Sequence, residues 1–283
     1  MSVGPTGWID LHLHTTASDG RCTPRELVER AARAGVSVMA ATDHDTTAAV
    51  SEVRAAAREH GIQVVNGVEI TAVDNQRDIH VLGYFLNPEN EALGYFLLTQ
   101  RAARVARVEA IGARLSALGV PIAVEPLLLQ ATAQNGRSIG RPQVARAMVD
   151  AGHVLSVQEA FDRWLAHGRA GFVPREGASS EAVIRVIHGA GGIASLAHPG
   201  KLGLDQRLKA LAHAGLDAVE VFHPDHDTAL VEQYRALAQE LHLLMTGGSD
   251  FHGDPAHGLE PGGVSLPAAE FERLLEARPD AAG

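Results

Sequence analysis

IDLHLH at residues 9–14 and ATDHDTT at residues 41–47 each close an apolar run with groups that are costly to bury. Residues two apart in a strand point to the same face, so His12 and His14 leave one side of a sheet together and could grip one ion. Taken alone, the pair is equally compatible with two ordinary surface or core histidines. Asp43 and Asp45 could likewise be no more than caps for a following helix.

Outward from these two stretches the chain alternates. GWIDLHLH (7–14) reads as a strand, and TPRELVERAARAG (23–35) as a helix capped by Thr23, started by Pro24 and stopped by Gly35. VSVMAAT (36–42) repeats the strand, TTAAVSEVRAAAREHG (46–61) the helix with Thr46 as cap and Gly61 as stop, and IQVVNGVEI (62–70) gives a third strand. DIHVLGYFL (78–86) is a fourth, broken by Pro88 and Asn90 before a long arginine-rich helix from about Ala92 to Leu118.

Residues 100–175 read as helices only, including RPQVARAMVDAG (141–152) and SVQEAFDRWLAHG (156–168). The alternation then resumes through SEAVIRVIHGAGG, IASLAH, LDQRLKALAHAG, LDAVEVFH, TALVEQYRALAQELH and LLMTGGSDFH, with a last helix near 267–276. Seven strands are expected, parallel and covered by helices. That number fits a closed or nearly closed α/β barrel better than the alternative, an open doubly wound sheet. The expected division is a discontinuous barrel of residues 1–99 and 176–283 with an inserted helical lid, 100–175.

Six of the expected strands end in polar groups: His12 and His14, Asp43 and His44, Glu69, His198, His223, and Asp250 with His252; His80 lies inside the seventh. Each has a bland alternative: Glu69 as a salt-bridged strand end, His80 as a hydrogen-bonded core residue, AHPG (197–200) and GGSDFH (247–252) as plain turns. Recurrence at one end of so many strands calls for a shared compensating charge, and metal ions supply it. His60, His188, His213 and His242 instead fall near helix C-termini, where imidazolium suits the terminal carbonyls, and His153 and His167 belong to the helical region. His226 and His257 lie a few residues from the expected barrel mouth.

The bulk numbers exclude several classes. A formal charge of −10 opposes general attraction to nucleic acid or anionic membrane. Cys22 is the only cysteine, so a thiolate zinc cage is impossible and any metal must use histidine and carboxylate. The start, MSVGPTGWID, lacks a basic and apolar leader, and no run of roughly 18 apolar residues occurs, so the expected location is the cytoplasm, away from membranes.

DLHLHTTASDG (10–20), ATDHD (41–45), GVEI (67–70), HVLGYF (80–85), LAHPG (196–200), VEVFHPDH (219–226) and GGSDFHG (247–253) resemble, in order, the motifs of the PHP (polymerase and histidinol phosphatase) family of metal phosphoesterases. The resemblance implies a distorted (β/α)7 TIM-like barrel with a helical insertion and two or three divalent ions, manganese first, with zinc or iron as alternatives. It implies a first ion on His12, His14, Glu69 and Asp250, a second on Glu69, His80 and His198, and a third on Asp19, His44 and His252, with Glu69 bridging. Some relatives carry histidine where this chain has Asp19. ASDG (17–20), IGRP (139–142) and the short helical insert look most like the branch that removes phosphate from nucleoside 3′,5′-bisphosphates, some of whose members trim short 5′-phosphorylated RNA. Histidinol-phosphate phosphatase is the alternative.

Clustered divalent ions would hydrolyse a phosphate monoester by in-line attack of a metal-bridging hydroxide. His223 is the candidate for contacting the phosphate or protonating the departing alkoxide, unless its ring only packs Pro224. Arg137 and Arg141 in NGRSIGRP (135–142), with Arg175, Lys201 and His226, are candidates for binding the substrate, a small phosphorylated metabolite. Amidohydrolases also begin with HxH, but many bridge their metals with a carboxylated lysine, and here Lys201 and Lys209 are the only lysines. A non-catalytic regulatory module is the other rival, and all nine expected ligands are present against it. The oligomeric state is not encoded in these motifs.

Overall fold

In the computed structural model, which describes residues 7–133, 136–203, 205–254 and 259–279 apart from the side chains of Ala133, Lys201 and Leu202, local chemistry sets the first boundaries as read. Thr23 and Glu26 cap each other at the start of α1 (Pro24–Arg33), whose Leu27, Val28 and Ala31 are buried. Helix α2 (Val50–Glu59) begins later than expected. Thr46 does not cap it; its hydroxyl accepts from the Ala48 N–H at 3.2 Å, and the loop carrying Asp43, His44 and Asp45 stays open.

Among the described residues eight strands form, not seven, because IQVVNGVEI is divided between two sheets. Strands β1 (Trp8–Leu13), β2 (Val36–Ala41) and the two-residue β3 (Gln63–Val64) are parallel and form one sheet in that order. Strands β4 (Gly67–Asp74), β5 (Arg77–Tyr84), β6 (Ile193–Leu196), β7 (Ala218–Phe222) and β8 (Leu244–Gly247) form the other. Parallel pairing throughout is also corrected, since β4, β5 and β6 run antiparallel. Asn75 and Gln76, at φ 49° and 64°, turn β4 directly back into β5. Isolated parallel bridges, Leu13 to Phe251 and His44 to Glu69, join the sheets at both seams.

Helices α7 (Ser180–Gly189), α8 (Asp205–His213) and α9 (Thr228–Glu240) cover the second sheet through Val183, Leu211 and Tyr234, and α10 (Ala268–Ala277) buries Phe271 and Leu274 beside β1 and β5. The long α3 (Glu91–Ala117) carries Leu93 and Leu97 into that core. Its later Val108, Ile111 and Leu115 enter a separate cluster with α4 (Glu125–Ala133), α5 (Arg141–Asp150), α6 (Val157–Ala160) and a π turn, Phe161–Leu165. No helix among the described residues is long and apolar enough to cross a membrane.

Where β8 passes β1, only glycine fits: a Cβ on Gly248 would lie 2.4 Å from the His12 nitrogen and 2.6 Å from its Cβ. Gly248→Ala is expected to lower the free energy of unfolding of the metal-free protein by about 1–3 kcal/mol, as for other overpacked sites. Urea denaturation measures this, and an unchanged midpoint would show that the two strands part at no cost.

Candidate metal centre

One carboxylate organises the site. Glu69, on β4 and 1% exposed, has its Oε2 within 3.3 Å of His12 Nε2, 3.2 Å of His14 Nε2 and 3.1 Å of His44 Nδ1. Its Oε1 lies 2.7 Å from His80 Nδ1 and 3.2 Å from His198 Nε2. The rings arrive from β1, from the loops after β1, β2 and β6, and from β5. Asp250, after β8, stands 3.3 Å from His12 Nε2, 3.4 Å from His14 Nε2 and 3.3 Å from His223 Nε2. Asp19 stands 3.3 Å from His252 Nε2, 3.5 Å from His44 Nε2 and 3.6 Å from His14 Nδ1.

All nine expected ligands therefore meet. Donor atoms of eight of them form three groups able to hold an ion: His12, His14 and Asp250; His44, Glu69 and His80; and His14, Asp19, His44 and His252. His198, expected beside Glu69 and His80, is in none of these groups, although its Nε2 faces Glu69. This grouping differs in detail from the expected one, because His14 also faces Asp19 and His44 also faces Glu69. His198 and Asp250 are held at φ 29° and 51°, strain of about 1–3 kcal/mol each of the kind found where geometry serves a site.

The electrostatics ask for cations. Burial pushes the Glu69 carboxyl up, but the imidazoles, His44 and His80 foremost, outweigh it and hold it well below the usual range; Asp19 is held down against burial by His44 and His252. Adjacent rings then diverge. Burial opposes protonation of His14, yet Asp250 and Glu69 lift it to about 10, while burial takes His44 down to about 3. Both nitrogens of His14, Nδ1 of His44 and Nδ1 of His80 are buried without an aligned hydrogen bond, despite carboxylate oxygens at ion-pair distance. Lone pairs aimed at one another's centre without hydrogen bonds suit coordination better than proton sharing, and imidazole with carboxylate suits manganese, iron or zinc.

Asp10 and Glu220, which sequence reasoning missed, and Asp43, read there only as a polar strand end, hold this cluster. Asp10, raised by burial to about 6, accepts from the Ser249 N–H at 2.9 Å, the Ser249 hydroxyl at 2.6 Å and the Gly262 N–H at 2.7 Å, fixing the turn into Asp250. Asp43 accepts from Thr15 and Ser18, tying the loops after β1 and β2. Glu220, in the middle of β7 and fully buried, faces His12 Nδ1 at 2.8 Å. A carboxylate inside VEVF was the available signal.

His223 is buried beside the cluster. Its Nδ1 accepts from the Asp225 N–H at 3.1 Å, which leaves the proton on Nε2 facing Asp250. His226 was expected to touch substrate, but both ring nitrogens are engaged within the protein, Nδ1 with the Val221 carbonyl at 2.9 Å and Nε2 with the Gly200 N–H at 3.2 Å. It braces the turn after His198.

A small cavity of about 90 Å³ opens beside His44, His80 and Asp19 and is walled by Arg104, Arg107, Arg141 and Arg175. Asp45 accepts from Arg104 Nε at 2.5 Å and Arg175 at 3.0 Å, and Asp78, held at about 2 by Arg141 and Arg107 against burial, accepts from those two at 2.9 and 2.8 Å. One terminal nitrogen of Arg107 and Nε of Arg175 are buried with no hydrogen-bond partner. Arg104 and Arg107 went unnoticed because helical arginines usually face water. Arg137 is half-buried and lines neither this cavity nor the next; the Lys201 side chain and His257 lie outside the described residues. A larger cavity of about 690 Å³ shares Asp19, Pro142 and Phe161 with the first and is also lined by Arg146, Gln158, His223 and Pro224.

The PHP domain matches residues 10–167. The chain is 39% identical over 251 residues to the 5′-3′ exoribonuclease Rnm of Escherichia coli K12, covering 86% of this chain and 84% of that one. It is 34% identical over 278 residues to the 3′,5′-nucleoside bisphosphate phosphatase of Chromobacterium violaceum, covering 95% and 97%. A crystal structure of a candidate metal-dependent phosphoesterase from Bifidobacterium adolescentis superposes with a TM-score of 0.87 at 34% identity, over 99% of each chain.

A ring held near 10 carries its proton at neutral pH, whereas a coordinating imidazole must be neutral. Manganese added to chelator-stripped protein at pH 7 is therefore expected to release protons and to bind more tightly as pH rises. Calorimetry in buffers of different ionisation heat reads this; binding without proton release would contradict the charge state assigned to His14.

Proposed function

Since this chain belongs to the PHP domain family and is a metal-dependent phosphoesterase, we propose that it removes the 3′-phosphate of a nucleoside 3′,5′-bisphosphate, with the second phosphate gripped by the arginine-lined cavity. The carrying observation is that cavity. Four guanidiniums outnumber the three carboxylates around them, Asp19, Asp45 and Asp78, and two buried N–H-bearing groups lack acceptors. Phosphate oxygens satisfy such donors with charge-assisted bonds.

The nine expected ligands would hold two or three divalent ions, manganese first, which when bound supply a nucleophile from water at neutral pH and neutralise charge on the phosphoryl oxygens. The protein's own part is to place and protonate. Arg141 and Arg107 hold the far phosphate, with Arg104 and Arg175 behind them, fixing the distance from the cluster to the second anchor. His223, whose Nδ1 is occupied by the Asp225 N–H, presents its Nε2 proton toward the site and gives it to the departing 3′-oxygen as the P–O bond breaks. The 690 Å³ cavity has room for the nucleoside, with Phe161 as an aromatic wall.

A short 5′-phosphorylated RNA end carries the same two groups, a terminal phosphate and a second phosphorus one nucleoside away, and is the second proposed substrate, acted on in the cytoplasm. Residues 100–175 serve as a lid, since Pro142 and Phe161 wall both cavities and Arg141 walls the smaller one. The isolated bridges at both seams support reading the two sheets as the distorted barrel of the family.

Phosphate release by the manganese-loaded protein should be compared across 3′,5′-bisphosphates, histidinol phosphate, 5′-phosphorylated oligoribonucleotides and simple monophosphates. The bisphosphate should lead in kcat/KM, and an equal or better value for histidinol phosphate would reverse the assignment. Arg141→Ala is expected to raise KM for the bisphosphate about tenfold to a hundredfold, as for a lost charged hydrogen bond of about 1.5–3 kcal/mol, and to leave simple monophosphates nearly unchanged. Equal effects on both would defeat the anchoring role. His223→Ala should lower kcat by about 10²–10⁴ with unchanged metal content; retained turnover would remove it from the reaction.

A further inference from the structure

Glu220 sits in the middle of β7 between the buried Val219 and Val221, with no exposed surface of its own. A carboxylate in such a strand costs several kcal/mol of desolvation unless good partners compensate it. It has two. One oxygen lies 2.8 Å from His12 Nδ1, and the other accepts the His198 backbone N–H at 2.8 Å. His12 belongs to the group with His14 and Asp250, whereas His198 faces the opposite oxygen of Glu69 and has its backbone at φ 29°, ψ 56°.

We propose that Glu220 is a positioning residue that sets the ring tautomer of His12 and pins the turn carrying His198, so that one carboxylate orients donors on both sides of Glu69. The inference rests on the cluster being a metal centre and not on the choice of substrate.

A neutral imidazole has one N–H and one lone pair. With Nδ1–H given to Glu220, the His12 lone pair is on Nε2, facing the centre between Glu69 and Asp250, each 3.3 Å away. Those two carboxylates would themselves attract an N–H at Nε2, which would block coordination. Glu220 is the acceptor that outcompetes them from behind the ring. Its second oxygen occupies the N–H of a residue in a left-handed conformation, which resists relaxation of the turn that aims His198.

Both partners donate, so the position requires two acceptors on one planar group. Glutamine has the same shape but only one acceptor. Its NH2 must oppose either the His198 N–H or His12 Nδ1, and in the second case it draws the ring into the tautomer that cannot bind an ion through Nε2.

The test is manganese binding to chelator-stripped wild type and Glu220→Gln, by equilibrium dialysis with metal analysis, beside circular dichroism and melting of the metal-free proteins. Glu220→Gln should keep the fold and bind at least one ion about 10–100-fold more weakly, as for other residues that orient a metal ligand. Unchanged affinity overturns the proposal, as does a lower melting point with unchanged affinity, the mark of a merely structural role. Wild type that binds no ion removes the metal centre and this role with it. Should the variant fail to fold, 15N NMR of histidine-labelled wild type loaded with zinc decides: His12 must show a protonated Nδ1 and a metal-bound Nε2, and the reverse pattern overturns the proposal. Neither experiment uses a phosphorylated substrate, so an error in the substrate leaves both readable.

Discussion

Five imidazoles within 3.3 Å of the Glu69 carboxylate impose a constraint that the rest of the molecule obeys. Neutral rings crowding one anion, with Asp19 and Asp250 close by, leave lone pairs facing negative charge. The arrangement is tenable only if protons or metal ions take up the space between them. That requirement explains why strands from two sheets finish at one rim. It also explains the costly supports behind the rim: Asp10 and Glu220 are buried carboxylates whose partners are the turn into Asp250, His12 and the His198 backbone.

A second ionic seam lies beside the first and joins the helices to the strands. Asp45 and Asp78 come from the loop after β2 and from β5, while their partners Arg104 and Arg107 come from α3, Arg141 from the start of α5, and Arg175 from the approach to α7. The Gln100 amide adds a bond to the Thr71 carbonyl at 2.8 Å. Buried pairs of this kind contribute modest stability because desolvation offsets attraction. Their stronger effect is positional, since they bring positive charge beside the carboxylate-rich cluster. The two poles would accept the two phosphates of one small substrate.

The strand-end residues were legible because each is expensive to bury and their recurrence is hard to explain separately; eight of the nine expected ligands fall in groups able to hold an ion, His198 faces Glu69 beside them, and the PHP resemblance is matched by the family comparison. Strand direction was not legible. VNGVEI and HVLGYF are apolar runs whose composition carries no sign of antiparallel pairing, and only the tight turn at Asn75 and Gln76 forces it. Arg104 and Arg107 resemble the many solvated arginines of a long helix until the positions of Asp45 and Asp78 are known. His226 was misread for the converse reason: nearness in sequence to His223 suggested the site, while its ring turns back to hold Gly200 and Val221. A lone glutamate between valines, Glu220, signals in sequence that a buried partner exists, but not which ring it serves.

Helix α3 is one unbroken rod of 27 residues, roughly 40 Å long, anchored by Leu93 and Leu97 in one apolar cluster and by Val108, Ile111 and Leu115 in another. Between those anchors it carries Gln100, Arg101 and Arg104 past the rim. Grafting a different helical cap onto this scaffold therefore cannot be done by cutting near residue 100. The splice would sever a continuous backbone hydrogen-bond ladder and take Arg104 with the discarded piece, so a transplant must carry the whole helix and be re-fitted to two cores at once.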